Sequence, residues 1–265
     1  MRVTQQMLHQ NSVRHMNQNL SRFEKTNSQV SSGKMLERPS DNPNGVSKAM
    51  NLKSTIAENE QFTRNTDEAK LWLDETDQTI SRMTDVMQRV RELAVQGGSD
   101  TLSDHSREVI STEILELKST IEQLSGTQLN GQDLLGAAKS FTIGNGLTVK
   151  ANASSAEILG GTVQMLEDLA GAVKANTPVD LDAIDSSMDQ MLTVQSEIGA
   201  RTNRVDATDN RLKGSTLELT KMLSKIEDVD YAEAIIKLKS EESIYQASLS
   251  ATSEIIQPSL MDFLR

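Results

Sequence analysis

Residues 181–226, LDAIDSSMDQMLTVQSEIGARTNRVDATDNRLKGSTLELTKMLSKI, decide the fold. Steps of three and four residues pick out Leu181, Ile184, Met188, Met191, Gln195, Ile198, Thr202, Val205, Asp209, Leu212, Thr216, Leu219, Leu223 and Ile226. A repeat of 3.5 residues is the mark of helices packed along a narrow apolar stripe. Its phase runs unbroken through Gly199 and Gly214, so the stretch reads as one long helix. The polar slots, Gln195, Thr202 and Asp209 among them, lower stability while fixing register.

The same grammar extends in both directions. From Val46 to Gln96 there is neither Gly nor Pro, and Leu73, Thr76, Ile80, Met83, Met87, Val90 and Ala94 form a seam. A helix of that length runs about 75 Å at 1.5 Å per residue. Gly97-Gly98-Ser99-Asp100 ends it. A further helix begins near Ser103 or Asp104 as N-cap and carries Ile110, Ile114, Leu117, Ile121 and Leu124 as far as Gly126, giving an antiparallel helical hairpin. At the start of the chain, residues 1–32 carry Val13, Met16, Leu20, Phe23 and Val30, with Asn27 in a polar slot and Gly33 as cap. Residues 33–45 hold Pro39, Pro43 and four turn formers, and predict a break. The last helix repeats the heptad with Tyr231, Ile235, Leu238, Glu242, Tyr245, Leu249, Thr252 and Ile256, before Pro258 and a short apolar tail. Only 127–178 departs: Phe141-Thr142-Ile143 and Leu147-Thr148-Val149 flank Gly144-Asn145-Gly146 as a β-hairpin, followed by a short helix around 163–173.

These readings predict a mainly α fold: an elongated antiparallel helical bundle or coiled-coil rod from both chain ends, with a small β-hairpin-containing α+β insert. Three regions follow. Residues 1–45 and 230–265 form a terminal coiled-coil domain for polymerisation, disordered in the lone chain. Residues 46–134 and 181–229 form a helical rod. Residues 135–180 form a small outer insert, and loss of 140–178 is expected to leave assembly largely intact.

Composition agrees. Of 265 residues only 3% are aromatic, which favours helix-on-helix packing through Leu, Ile, Met and Val. The net charge of −11 argues against nucleic acid. There is no cysteine, so disulfides, Cys-based metal sites and thiol nucleophiles are excluded. No apolar run approaches the roughly 20 residues needed to span a bilayer. The amino terminus lacks the apolar core of a secretory signal, so export by another route is expected. No cofactor or metal site is expected either. His9, His15 and His105 lack ligand spacing. Asp104-His105-Ser106 are adjacent on a helix start, where their side chains fan apart instead of converging as a triad.

The charges are unevenly placed. The first forty residues hold six Lys/Arg and two acids; the last thirty-nine hold eight acids and three bases. Ends with matching stripes and opposite charge suit a subunit that assembles through Val13, Met16, Leu20, Phe23 and Val30 at one end and Tyr231, Ile235, Leu238, Tyr245, Leu249 and Ile256 at the other. The rod seam would comprise Leu73, Ile80, Met83, Met87, Val90, Ile114, Leu117, Ile121, Leu124, Ile198, Val205, Leu212, Leu219, Leu223 and Ile226.

Four segments in this order resemble the flagellin family, across nearly the whole chain outside 140–180: residues 31–45, Gln88–Gln96, Thr127–Gly131 and Ile226–Tyr231. Arg38–Pro43, Gly199–Arg204 and Leu260–Leu264 are similar to the branch that joins hook to filament. The resemblance implies a structural, non-enzymatic subunit of the bacterial flagellum, extracellular and without a cleaved signal peptide. It implies self-assembly between the first hook-associated protein and flagellin, passage through the flagellar type III export apparatus, and a cytoplasmic export chaperone on the C-terminal region. Arg89, Arg91, Glu92 and Leu93 match the family's most recognisable stretch, where host-receptor recognition competes with simple packing in the rod. A short filament flagellin and a soluble coiled-coil signalling or scaffold adaptor are the alternative readings.

Overall fold

A computed structural model describes residues 5–99 and 102–256. The elements are α1 (Gln5–Ser32), α2 (Pro43–Gly97), α3 (Asp104–Ser125), β1 (Gln128–Leu129), β2 (Gln132–Asp133), β3 (Ser140–Gly144), β4 (Leu147–Lys150), α4 (Ser155–Leu159), α5 (Thr162–Ala175), α6 (Leu181–Glu227) and α7 (Tyr231–Ile256). The chain is mainly helical, as the heptads require. It divides into two compact units, residues 1–56 with 217–265 and residues 57–216. Both divisions fall inside the long helices α2 and α6, away from the expected boundaries at 45 and 230.

In the unit of residues 57–216, α2 and α6 run antiparallel. Lys70 pairs with Asp206 at 2.7 Å, Arg91 with Asp185 at 2.7 Å, and the Asn59 amide donates to Ser215 Oγ at 3.2 Å. Between the two ion pairs an advance of 21 residues along α2 is matched by a retreat of 21 along α6, so the register does not slip there. Arg89 pairs with Glu113 at 2.8 Å while Gly97 lies against Ile110, so α3 runs antiparallel to α2. Leu73, Thr76, Ile80, Met83, Met87 and Val90 are fully buried. Thr76 and Thr84 fill their slots at little cost, because each hydroxyl donates to the carbonyl four residues back, at 2.7 and 3.0 Å. Ser103 caps α3 by accepting from the Ser106 N–H.

The stretch 135–180 shares this core. Ile143, Val149, Ile158, Leu166, Leu169 and Val173 belong to one buried cluster with Met83, Ile114 and Ile198. Helix α5 lies antiparallel on α3: Ser111 Oγ donates to the Ala170 carbonyl at 2.9 Å, and Lys118 pairs with Glu167 at 2.7 Å. A boundary at 134/135 therefore marks no break in packing. Asn152, fully buried, holds the turn beneath the hairpin. Its amide donates to the Leu134 and Ala137 carbonyls, and its oxygen accepts the Lys139 N–H. The hairpin β3–β4 forms where alternation predicted it, with a register shift at Ile143. A second, two-residue hairpin, β1–β2, turns on Asn130-Gly131, both at positive φ. This is the Asn-Gly signal for tight hairpins.

In the other unit, α1 and α7 are antiparallel neighbours. Asn19 donates to Ser248 Oγ at 2.6 Å, Thr26 Oγ1 to Glu241 at 3.2 Å, and Phe23 stacks on Tyr245 with ring centroids 6.2 Å apart. Helix α1 ends at Gly33, whose φ of +71° suits glycine and where a Cβ would meet Tyr231 Oη at 2.7 Å. Helix α2 begins at Pro43, inside the predicted break. Proline fits the first helical position because its ring presets φ and no N–H is needed there, and Asn42 Oδ1 accepts the Gly45 N–H at 2.9 Å.

Candidate assembly interface

The α1–α7 pair is built from unequal faces. On α1 the expected residues Val13, Met16, Leu20, Phe23 and Val30 are all half-buried. The polar slot is Thr26, 3% exposed, and Asn27 faces out. On α7 the residues toward α1 are Ala234, Leu238, Glu241, Tyr245, Ser248 and Thr252. This stripe shares Leu238, Tyr245 and Thr252 with the heptad read from sequence, but its other positions lie one residue away. Small Ala234 and Ser248 let the helices approach. Tyr231, Ile235 and Leu249 are left 54, 47 and 42% exposed, and Ile236 is 72% exposed. Ile256 ends α7, and its side chain lies outside the described residues, as does the tail 257–265. A two-helix pair can bury only one stripe of each helix, so an apolar edge on α7 stays open.

A clasp of main chain and charge holds the feet of these helices. The Met35 N–H donates to the Glu227 carbonyl at 2.7 Å, and the Val229 N–H to the Gly33 carbonyl at 3.0 Å. The buried Glu227 carboxylate accepts from Lys34 and Lys53, each at 2.7 Å. Those hydrogen bonds, Lys34 first and Lys53 second, hold its carboxyl below the ordinary carboxylate range. Sequence reading missed Glu227, because its partners lie far along the chain and no periodicity links them.

Of the opposite charges of the chain ends, Lys34 and Glu227 meet in this clasp, but among the described residues no ion pair joins α1 to α7. Arg14 and Arg22 are exposed, and among the described residues neither has an ion-pair partner.

The rod-seam residues fall in two places. Leu73, Ile80, Met83, Met87, Val90, Ile114, Ile121, Ile198 and Val205 are fully buried, Leu212 nearly so, and Leu117 and Leu124 pack partly buried on the same cluster. Leu219, Leu223 and Ile226 are half-buried in the other unit. The four motif residues divide their labour. Leu93 is core, Arg89 bridges to Glu92 and Glu113, Arg91 bridges to Asp185, and the Glu92 side chain is 69% exposed. Hydrogen bonds to Glu113 and Asp185 respectively raise the pKa values of the two guanidinium groups. Among the described residues there is no group of acids and histidines able to hold a metal, and no helix long and apolar enough to cross a membrane.

Residues 3–140 match the bacterial flagellin N-terminal helical region, and residues 181–264 match the bacterial flagellin C-terminal helical region. The chain belongs to the bacterial flagellin family. Hook-associated protein 3 of Escherichia coli K12 is 25% identical, over 96% of this chain and 97% of that one. A flagellin of Halalkalibacterium halodurans is also 25% identical, over 93% of each chain. A Vibrio parahaemolyticus structure described as that of a flagellar hook-associated protein shares the fold, with a TM-score of 0.65 and 21% identity, covering 71% of this chain and all of that one. The role of a flagellin-family chain is structural: self-assembly, in association with other flagellar proteins, as part of the flagellum.

Proposed function

We propose that this chain is the hook–filament junction subunit, hook-associated protein 3, and that it assembles through α1 and α7. The open apolar edge on α7 carries the assembly reading: Tyr231, Ile235, Ile236 and Leu249 stay exposed beside the α1–α7 pair among the described residues. The end-to-end match to the Escherichia coli hook-associated protein 3 supports the junction placement. In this reading the terminal pair orders only when neighbouring copies bury that edge. Fixing each residue costs about 1–2 kcal/mol of conformational entropy, and the two helices alone enclose little apolar area. The first hook-associated protein would lie on one side of the layer and flagellin on the other. An export chaperone would shield the C-terminal region before passage through the type III apparatus.

A short filament flagellin is the second reading, favoured by the equal identity to the Halalkalibacterium halodurans flagellin. Gold-labelled antibody on isolated flagella separates the two. A single band at the distal end of the hook is the expected result; label along the whole filament makes the chain a flagellin.

A further inference from the structure

Charge is divided sharply between the two units. Residues 57–216 contain 26 acids and 14 bases, whereas residues 1–56 and 217–265 together contain 12 acids and 13 bases. The acidic unit of one copy repels the acidic unit of the next, and a contact with a neighbour's other unit avoids that repulsion. Each unit also carries an exposed apolar patch of the matching sign. In the acidic unit, α2 and α6 flank a cleft of about 850 Å³ whose lining includes three acids, Glu92, Asp185 and Asp189, one base, Arg91, and the apolar Val95 and Leu192. Val95 and Leu192 are 56 and 47% exposed. Among the described residues the Asp189 carboxylate has no ion-pair partner, while Asp185 is held by Arg91 and Glu92 by Arg89. In the other unit, the C-terminal part of α6 exposes Leu217, Lys221, Met222 and Lys225. Among the described residues neither lysine has an ion-pair partner. The spans agree: residues 217–225 cover about 12 Å of helix, and 88–95 or 185–192 about 11 Å.

We infer that, in the assembly, the ridge Leu217–Lys221–Met222–Lys225 of one copy docks into the acidic cleft of a second copy beside Val95 and Leu192. Leu217 and Met222 cover the apolar floor, and Lys221 and Lys225 meet Asp189 and Glu92. Two different patches meet, so the contact is head-to-tail and propagates from copy to copy into a ring or helical layer. The contact rests on the assembly reading above, but uses neither α1 nor α7.

The absence of cysteine makes the test clean. Full-length chains carrying Leu192→Cys and chains carrying Met222→Cys are mixed, concentrated and mildly oxidised. The expected product is the disulfide heterodimer, in clear excess over either homodimer. Adding Lys221→Glu with Lys225→Glu to the ridge chain is expected to lower its yield about ten-fold, since like charges then face each other. Adding Asp189→Lys with Glu92→Lys to the cleft chain restores it. Helix content and monomer size of each variant are checked by circular dichroism and sedimentation. A heterodimer no more abundant than the homodimers, or indifferent to charge reversal, overturns the contact. If the wild type assembles in sedimentation while that result is found, the contact falls alone. A wild type that stays monomeric at every concentration overturns the assembly reading and the contact with it.

Discussion

The seam of residues 73–90 and the edge of α7 use the same heptad grammar and reach opposite ends. Ile80, Met83 and Met87 are fully buried, because α2 meets α3, α6 and the helices of 155–175 around one cluster. Ile235 and Leu249 are 47 and 42% exposed, because α7 has α1 as its neighbour and turns Ala234 and Ser248 toward it. A heptad states that a stripe wants cover; the number of helices around it decides whether one chain can supply that cover. Burial is worth about 25 cal/mol per Å², so the first region stabilises the lone chain, and in the proposed assembly the second would gain its cover from neighbouring copies.

Excising 140–178 breaks this comparison most severely. The insert reads as dispensable from sequence, yet its removal strips Ile143, Val149, Leu166 and Val173 from the common core. The rod unit is expected to lose cooperative thermal unfolding; a sharp, wild-type-like transition in calorimetry would contradict the shared core. Cutting side chains in the two regions gives the next largest contrast. Met87→Ala is expected to cost about 2–5 kcal/mol in denaturant unfolding. Leu249→Ala is expected to change monomer stability by no more than about 0.5 kcal/mol, and Leu249→Asp to abolish assembly with rod helicity unchanged. Equal destabilisation by Met87→Ala and Leu249→Ala would erase the distinction.

The clasp gives a smaller, pH-dependent effect. The carboxyl of Glu227 is lowered in the folded chain, so its contribution is complete above the ordinary carboxylate range and disappears as the pH falls through the lowered value. Limited proteolysis between residues 33 and 42 is expected to accelerate in that acid window. Glu227→Gln is expected to show the faster cutting at neutral pH. The smallest effect lies at Lys139, whose ammonium sits 4.0 Å from the centre of the Trp72 ring. Lys139→Met is expected to cost about 0.5–1 kcal/mol and to shift the emission of this single tryptophan, with assembly unaffected.

Much of the architecture was legible because it repeats. The phase through 181–226 and 73–94 is stated again at every turn, so one misleading residue cannot hide it. What was not legible was local in appearance and long-range in cause. Pro43, Asn44 and Gly45 look like a turn and open a helix, because the missing N–H of Pro43 costs nothing at its first position. The inward face of α7 was misplaced by one residue at alternate positions, because a search for greasy positions selects Ile235 and Leu249 over Ala234 and Ser248. Close approach of two helix axes favours the small residues. The core position of 141–173 leaves no periodic trace in a segment of short elements. Lys53 and Glu227 are 174 residues apart, and no spacing rule pairs them.

Amide hydrogen exchange of the dilute chain, compared with the assembled form, tests the account most directly. In the monomer, the amides of α1 and α7 are expected to exchange orders of magnitude faster than those of 73–94 and 184–205, and to become protected on assembly. Protection of α1 and α7 in the dilute monomer equal to that of the rod core would contradict the claim that neighbouring copies complete the terminal pair.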